Sequence, residues 1–338
     1  MIGYYVHHHG TGHLHRAIAI ASELETTITG ISSLRRPATW AGPWLELPRD
    51  DDGSEMFVDV DGGGRLHWAP EYHDGLRKRM AKISTWIDEA DPDLMIVDVS
   101  VEVALLARLH GVPVVTIVLP GEREDPAHEL VHSISRRIIA AWPPSVSGMV
   151  RGLDERSSRL AWVGGVSRFD HRDTVEKPPT DGPRRVVMLT GSGGLDVTAD
   201  QLAIARRQTP GWEWIILGEA GIWADDPWDW LTSAHVVVTH AGQNAIAEVA
   251  AARRPAVVLP QSRPFREQEV TAAAIAAYGQ YPVKVFDSFP SQGWSDVLDS
   301  VARLDGTTWE AWNDCAGIER AVAVIKAELR LTADTVLP

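Results

Sequence analysis

The sequence predicts two α/β domains, each built on a doubly wound parallel sheet. Short apolar runs of strand length alternate with segments of helical spacing, which is the pattern of βαβ units. The alternation stops in a stretch rich in Gly, Pro and mixed charge and then restarts. The 338 residues, 44% hydrophobic and 23% charged, suffice for two domains of ordinary size. We expect domains at residues 1–164 and 184–330, joined by a linker at 165–183.

In the first half, a strand at 2–6 ends in a glycine-bearing turn and precedes a helix at 15–24. A strand at 94–97, a helix at 101–109 that Gly111 ends, and a strand at 112–118 form a second unit. A further helix is predicted at 126–142. The segment 35–70, rich in Gly, Asp and Pro, carries no predicted element.

The second half repeats the architecture without repeating the sequence. Its predicted strands are 184–189, 212–217, 235–239 and 256–259. Its predicted helices are 196–208, 243–253, 265–278, 294–304 and a last amphipathic helix at about 308–330.

Composition excludes several classes of function. The net charge of −14 argues against a nucleic-acid-binding surface, which needs clustered positive charge. Cys315 is the one cysteine, so an internal disulfide and a cysteine-based zinc site are excluded and a reducing compartment is favoured. No apolar run reaches the roughly 18 residues of a membrane span, and the N-terminus lacks the basic region of a signal peptide. We therefore expect a cytoplasmic protein.

Two glycine turns follow predicted strands, where ligands of open α/β sheets bind. Gly10 and Gly12 follow the first strand, and Gly191, Ser192 and Gly193 follow the first strand of the second half. Glycine lets the backbone approach a ligand, and the next helix presents free N–H groups to an anion. Neither turn is a P-loop, since no G-K-[ST] follows, and each also fits an ordinary tight βα turn.

A third candidate site covers residues 236–248, which read as strand, small-residue turn and helix. Asn244 and Glu248 are four residues apart and share one face of that helix. A carboxylate there is well placed for ribose hydroxyls, although a solvated surface glutamate has the same spacing. His240 precedes the turn and is either a donor to phosphate or a packed histidine at a strand end.

A fourth segment, 259–268, is polar, is bounded by two prolines and opens a helix. Glu267 and Gln268 lie in the first turn of that helix. A carboxylate and an amide together can bind the hydroxyls of a sugar. Compensation of the helix dipole also explains an early glutamate, but it does not explain Gln268.

These motifs resemble those of GT-B glycosyltransferases. The run T-H-A-G-Q-N-A-I-A-E-V-A-A-A-R-R-P-A-V-V-L-P at 239–260 is similar to their C-terminal signature, in the glycosyltransferase family 28 group that contains MurG and in the wider UDP-glycosyltransferase superfamily. The stretch H-G-T-G-H-x-x-R-A at 9–17 resembles the acceptor-side glycine loop of the superfamily. The resemblance implies two Rossmann-like domains that face each other across a cleft, with the nucleotide-sugar on the C-terminal domain and the acceptor on the N-terminal domain.

The resemblance also implies residue roles. It places Glu248 on the ribose and Glu267 and Gln268 on the transferred sugar. It places the phosphates near Gly242, Gln243 and Asn244 and near the G-S-G-G turn. It assigns the uracil of a UDP-sugar to the loop 218–230, where Trp223 is the candidate. The sugar-binding pair of the family is often Gln-Gln or Asp-Gln, whereas this chain has Glu-Gln, so the donor sugar stays open.

Glycosyl transfer needs a base for the acceptor hydroxyl, and a neutral imidazole is suited to that role near pH 7. We predict His13 as the base and Asp98 as the residue that orients it or binds acceptor. The alternatives are a structural or acceptor-positioning histidine that caps the turn, and an N-cap role for Asp98 at the next helix.

No metal and no cofactor are expected beyond the nucleotide-sugar substrate. His7, His8 and His9 would point alternately to opposite faces of a strand, so all three cannot bind one ion. Helix N-termini and backbone amides are expected to stabilise the diphosphate instead. The sequence leaves the hydroxyl acceptor open, with a lipid-linked molecule and a small natural product as candidates. The basic and apolar residues of 126–142 would suit a peripheral membrane contact at the inner face, but the acidic net charge favours a helix packed on the core.

The leading functional prediction is a metal-independent glycosyltransferase that uses a nucleotide-diphosphate sugar. One alternative is a nucleotide-sugar hydrolase on the same fold, because residues 10–16 also match the G-T-G-H-x-x-R turn of such hydrolases. The other is a non-catalytic protein that binds a nucleotide-sugar.

Overall fold

The computed structural model describes residues 1–52, 57–173, 178, 182–190, 196–218 and 221–334; side chains are described up to residue 329. These residues form two large parallel sheets, one in each half of the chain, and one two-stranded parallel pair. A cleft lies between the halves, and the loops that follow the strands of both sheets face it. The α/β fold class predicted from the sequence is confirmed.

The first sheet has seven strands in the order β3-β2-β1-β4-β5-β7-β9. Its strands β1–β5 are Ile2–Val6, Ile28–Ser32, Trp44–Glu46, Leu94–Asp98 and Val114–Val118. The later strands are β7 (Arg137–Ala140) and β9 (Leu160–Trp162), and the two-residue strands β6 (Gly121–Glu122) and β8 (Val150–Arg151) pair separately. The helices of this half are α1 (Gly12–Ser22), α2 (Asp74–Ala90), α3 (Val101–Leu109) and α4 (Pro126–Ile134).

The second sheet has five strands in the order β11-β10-β12-β13-β14. These are β10 (Arg184–Leu189), β11 (Trp212–Leu217), β12 (Val236–Thr239), β13 (Ala256–Val258) and β14 (Val283–Val285). The helices are α5 (Ala199–Gln208), α6 (Trp228–Ser233), α7 (Gln243–Ala251), α8 (Glu267–Tyr278), α9 (Trp294–Val301) and α10 (Gly317–Asp334).

Both strand orders place a topological switch point at the cleft. In the first sheet β1 lies between β2 and β4, and in the second β10 lies between β11 and β12. Val6 pairs with Asp98 at the carboxyl ends of β1 and β4, and Leu189 pairs with Thr239 at the ends of β10 and β12. Ligands of open α/β sheets bind outside such points. The loops after β1, β4 and β12 are therefore in position to form a site.

Three predicted helices differ from the structure. The helix predicted at 126–142 ends at Ile134, and Arg137–Ala140 is strand β7 between β5 and β9. Ile138 and Ile139 are buried in the sheet, so the membrane-facing helix considered above does not exist. Among the described helices, none combines the length and apolar composition that crossing a bilayer requires.

The other two differences concern the helices predicted at 265–278 and at about 308–330. Residues Pro264–Arg266 form a separate 3-10 turn before α8, in which Phe265 and Arg266 have positive φ of 58° and 50°. The last predicted helix is divided into a 3-10 turn, Gly306–Ala311, and α10. Cys315, with a φ of 64°, lies between them.

Helix α10 returns to the first half of the chain. Ala321, Val322 and Ile325 are buried in the same apolar cluster as β1 and α1. Arg137 Nε donates to Glu328 Oε1 at 2.7 Å, which joins β7 to this helix. The chain thus crosses between the two halves twice, at 163–184 and again before α10.

Candidate active site

A cavity of about 840 Å³ lies in the cleft and is lined by both halves of the chain. The N-terminal half contributes the loop after β1, the start of α1, and residues around Ser100, Arg123 and His128. The C-terminal half contributes the loops after β11, β12 and β13 and the starts of α7 and α8. The loop motifs predicted from the sequence are therefore brought together, where they lie within the described residues.

His13 and Asp98 form a hydrogen-bonded pair at the first switch point. His13 Nδ1 lies 3.0 Å from Asp98 Oδ1, and His13 lines the cavity. Because Asp98 accepts from the ring, the proton is assigned to Nδ1 and the lone pair of Nε2 is left free. Ser100, not Asp98, caps α3: its side chain accepts from the Val103 N–H at 3.2 Å. The N-cap alternative for Asp98 is wrong.

Arg16 holds the Asp98 carboxylate from the other side. Its Nε donates to Oδ2 at 3.1 Å, and its Nη2 donates to Oδ1 at 2.7 Å and to Oδ2 at 3.0 Å. Burial by itself would raise the pKa of Asp98, but the charges of Arg16 and His13 outweigh it and lower that pKa to about 2. Asp98 is therefore an anion whenever His13 acts near pH 7.

Arg16 also joins the two halves of the chain. Its Nη1 donates to Gln243 Oε1 at 2.6 Å, and Gln243 Nε2 donates to the Ala141 carbonyl at 3.4 Å. The Gln243 side chain is thus engaged by the N-terminal half. Nearby, a Cβ on Gly12 would lie 1.9 Å from Asn244 Nδ2, so any side chain at this position would displace the Asn244 amide from its place between the two loops.

Glu248 faces the cavity from the second turn of α7 and is paired with Arg168. Arg168 Nε donates to Glu248 Oε1 at 2.8 Å, and Arg168 Nη1 donates to the Asp225 carbonyl at 2.7 Å. Burial raises the pKa of Glu248, and the guanidinium of Arg168 opposes that rise. Within the described residues, Glu248 Oε2 has no hydrogen-bond partner, so this oxygen is available to a ligand.

His240 lies on the wall of the cavity at the end of β12. Its Nδ1 accepts from the Gly242 N–H at 3.0 Å, which leaves the proton on Nε2. Burial and the charge of Arg263 lower the pKa of His240 to about 4, so the ring is a neutral donor near pH 7. A Cβ on Gly242 would lie 2.6 Å from the His240 ring, so a side chain there would displace the imidazole from this position.

Glu267 and Gln268 also line the cavity, at the start of α8. Gln268 is buried, and its Oε1 accepts from the Gln261 N–H at 2.9 Å, which fixes the orientation of the amide. Burial raises the pKa of Glu267, while Arg123, His13 and Arg16 of the other half act in the opposite direction. Charged groups from both halves of the chain therefore act on the Glu267 carboxyl group.

The remaining predicted site residues form two groups, those on the cavity wall and those outside the described residues. Gly10 and Trp223 lie on the cavity wall, and Trp223 is 57% exposed with its Nε1 donating to Asp225 Oδ1 at 2.9 Å. Gly191, Ser192 and Gly193, predicted to hold the diphosphate, lie outside the described residues.

The histidines of the N-terminal loop are not strand residues, because β1 ends at Val6. The prediction that these histidines point alternately to opposite faces of a strand, and so cannot share one metal ion, therefore does not apply to them. His8 and His9 lie 3.2 Å and 2.8 Å from Asp51 Oδ2, within a group of possible metal ligands. Arg49 already donates twice to the Asp51 carboxylate, at 2.8 and 2.6 Å, which opposes a cation there.

Three arginines of the site were not predicted as site residues. Arg16 stands within the quoted H-G-T-G-H-x-x-R-A stretch, which was the signal that could have identified it. Arg168 lies in the stretch read as a linker, and Arg123 lies just before α4. Arg168 carries no local sequence signal, because its partner Glu248 is 80 residues away. The hydrogen bonds of Arg123 are local, but the Phe265 ring that it contacts in the cavity is distant in sequence.

Comparisons with known proteins agree with this geometry. Residues 225–281 match the model of the glycosyltransferase family 28 C-terminal domain. A 125-residue segment is 26% identical to a protein of Nitrobacter hamburgensis, UDP-N-acetylglucosamine--N-acetylmuramyl-(pentapeptide) pyrophosphoryl-undecaprenol N-acetylglucosamine transferase. That match covers 30% of this chain and spans about a third, 34%, of the relative.

Solved structures resemble the whole chain. The glycotransferase of kitacinnamycin has a TM-score of 0.70 at 16% identity, covering 97% of this chain and 98% of its own. The calicheamicin glycosyltransferase CalG4 has a TM-score of 0.64 at 17% identity, covering 100% and 99%. MurG of Acinetobacter baumannii has a TM-score of 0.61 at 14% identity, covering 96% and 99%. The chain therefore has the two-domain α/β fold of these solved glycosyltransferases, and residues 225–281 are similar to the glycosyltransferase family 28 C-terminal domain.

Proposed function

We propose that the chain is a glycosyltransferase that moves a sugar from a nucleotide diphosphate, UDP in the first instance, to an acceptor hydroxyl. The observation that carries the proposal is the arrangement of one cavity. A histidine–aspartate pair stands on its N-terminal wall, and buried groups suited to a nucleotide-sugar stand on its C-terminal wall. The family 28 match over residues 225–281 supports the donor assignment to the C-terminal half.

In the proposed mechanism His13 Nε2 takes the proton of the acceptor hydroxyl as that oxygen attacks the anomeric carbon. The bond from that carbon to the diphosphate oxygen breaks, and the electron pair leaves with the diphosphate. Asp98, held by Arg16, stabilises the imidazolium that forms at His13. This pair can contribute the 10²–10⁴-fold that general base catalysis typically gives, about 3–5 kcal/mol of barrier.

On the donor side, Glu248 Oε2 would accept from the ribose hydroxyls and Trp223 would stack on the base. The Gly242 turn, the N-terminus of α7 and the Nε2–H of His240 would face the diphosphate, with no metal required. Glu267 and the Gln268 amide would bind hydroxyls of the transferred sugar. The Nitrobacter relative is a transferase to a pyrophosphoryl-undecaprenol acceptor, and CalG4 is the calicheamicin glycosyltransferase. For this chain we propose an acceptor hydroxyl without naming the molecule that carries it.

The test is nucleoside diphosphate release from a panel of nucleotide-sugars, measured with and without a panel of hydroxyl acceptors. The proposal expects release to depend on an acceptor and a glycosylated product to form. Full-rate release without any acceptor would instead identify a nucleotide-sugar hydrolase. Tight donor binding without turnover on any acceptor would identify a binding protein.

A further inference from the structure

A second charged position lines the cavity on the N-terminal side, away from the His13–Asp98 pair. Arg123 follows β6, is 6% exposed, and lines the cavity together with Phe265, His67 and His128. The assignments above give it no role, although a buried cation is costly unless an anion or hydrogen bonds compensate it.

The hydrogen bonds of Arg123 position its guanidinium without neutralising it. Nε donates to the carbonyls of Leu119 and Pro120 at 2.9 and 3.1 Å, and Nη1 lies 2.6 Å from His128 Nε2. Within the part of the chain that the structure describes, Nη2 has no hydrogen-bond partner and no carboxylate lies within ion-pair distance. One donor of a fixed, charged fork is thus left for a ligand.

The surrounding histidines do not add to the charge. Burial, together with Arg123 and His67, lowers the pKa of His128 to about 3. Burial and Arg123 lower the pKa of His132 to about 4. Burial lowers the pKa of Arg123 itself to about 10, against Glu267 and Asp125 acting in the opposite direction, so Arg123 stays charged near pH 7. The histidines of this wall are therefore neutral near pH 7, and its charged groups are Arg123 and the carboxyl groups of Asp125 and Glu267 that act on it.

The same wall offers a flat apolar face. The Phe265 ring centroid lies 4.8 Å from that of His128 and 5.2 Å from that of His67, and the Arg123 guanidinium stacks over Phe265 at 4.8 Å. Phe265 is 37% exposed and adopts a φ of 58°, which is strained for an aromatic residue. Strain of this kind persists where the surroundings hold it, commonly at ligand sites.

A metal does not fit this cluster as it stands. His67, Asp125 and His128 offer ligand atoms within 4.8 Å of one another. However, His128 Nδ1 donates to Asp125 at 2.5 Å, because its Nε2 accepts from Arg123. A cation would have to displace that proton beside a guanidinium. Arg123, whose Nη2 faces no carboxylate within ion-pair distance in the described part of the chain, is the group here that would bind an anion.

We propose that this wall binds an anionic oxygen group of the acceptor, with Arg123 as its partner and an adjacent aromatic or apolar ring of the acceptor packed on Phe265. The inference rests on the proposed function, because it assigns the N-terminal wall to the acceptor. Phe265 lies in the 3-10 turn that directly precedes α8, whose first turn holds Glu267 and Gln268, so the anionic group would lie beside the transferred sugar.

The experiment uses a matched pair of probes, 4-hydroxybenzoate and its neutral analogue 4-hydroxybenzamide, titrated by calorimetry into the full chain saturated with UDP. The unaltered chain should bind the acid at least about tenfold more tightly than the amide, as a charge-assisted hydrogen bond predicts. Arg123→Gln should abolish that preference. The control, Arg151→Gln, removes an arginine that pairs with Glu122 and is 58% exposed, and should keep it.

A second variant keeps the proposal testable even if Arg123→Gln fails to fold. Phe265→Ala should weaken both probes together and leave the ratio of their affinities unchanged. Equal or undetectable binding of the two probes by the unaltered chain, a preference that persists in Arg123→Gln, or no effect of Phe265→Ala overturns the proposal.

Two further outcomes distinguish an acceptor site at Arg123 from a donor-sugar site and from failure of the proposed function. If Arg123→Gln instead removes a preference for UDP-glucuronate over UDP-glucose, the anion belongs to the donor sugar and the acceptor assignment is overturned. If UDP fails to bind while the acid preference depends on Arg123, the donor half of the proposed function fails but the anion site stands.

Discussion

Glu248→Gln tests the proposed ribose site most sharply, because the structure fixes what each carboxylate oxygen can do. Oε1 accepts from Arg168 at 2.8 Å, and Oε2 is left facing the cavity. If the ribose hydroxyls donate to Oε2, the lost charge-assisted hydrogen bond is worth about 1.5–3 kcal/mol. UDP should therefore bind about 10- to 150-fold more weakly to the variant.

The assay compares UDP with 2′,3′-dideoxy-UDP by calorimetry. The unaltered chain should prefer UDP, and Glu248→Gln should lose most of that preference, since the amide accepts more weakly than a carboxylate. Glu213→Gln is the matched control, because Glu213 pairs with Arg185 in the same manner but outside the cavity. A preference for UDP that survives in Glu248→Gln would remove the residue from the ribose and leave it as a partner of Arg168.

Three other predictions concern the donor and the fold. Turnover should survive EDTA, because backbone amides and helix N-termini are proposed to hold the diphosphate; loss of activity that Mn²⁺ or Mg²⁺ restores would contradict this. Gln268→Ala should weaken binding of the UDP-sugar by about 5- to 10-fold while leaving UDP itself unaffected, so equal effects on both ligands in calorimetry would place Gln268 elsewhere. The pKa of His240 falls to about 4 in the folded chain from about 6.5 unfolded, so the unfolded chain binds its proton first and stability drops as pH falls through that window. Urea unfolding should show about 2 kcal/mol less loss between about pH 7 and pH 5 in His240→Gln than in the unaltered chain; identical losses would refute the shift.

The sequence predicted several strands whose apolar runs are continuous. Strands β1, β10 and β11 begin and end as those runs indicated, because a parallel sheet covered on both sides needs continuous hydrophobic strands. Strand β2 is buried throughout but was not predicted, since Thr29, Gly30 and Ser32 interrupt its apolar run. The loops that follow such strands were consequently located as well. That is why His13, Asp98 and Glu248 could be named from their positions along the chain.

What could not be predicted depends on long-range contacts. Strand β7 begins with Arg137 and follows a helix directly, and the arginine is satisfied by Glu328 of α10, 191 residues away. Arg168 has the sequence context of a linker, and only the folded chain brings it to Glu248. Hydrophobic periodicity along the chain predicts helices and strands, but it does not show which distant residues will form a pair.

The candidate active site likewise combines residues that the sequence predicted with contacts that it did not. Motif spacing indicated that His13 and Glu248 face one cleft, but it did not indicate that Arg16 would join Asp98 to Gln243 across that cleft. A hydrogen bond between the halves depends on how closely the loops approach, here on the absence of a side chain at Gly12.

The measurement that tests the central claim is the separation of turnover from donor binding in His13→Ala. Donor Kd is obtained by calorimetry and kcat at saturating donor, with Asp98→Asn measured in parallel. The account predicts that His13→Ala lowers kcat by about 10²–10⁴-fold and changes donor Kd by less than about twofold, because the imidazole contacts the acceptor hydroxyl and not the nucleotide. An unchanged kcat, or a loss of donor binding in its place, would show that His13 is not the base and would contradict the mechanism at its central residue.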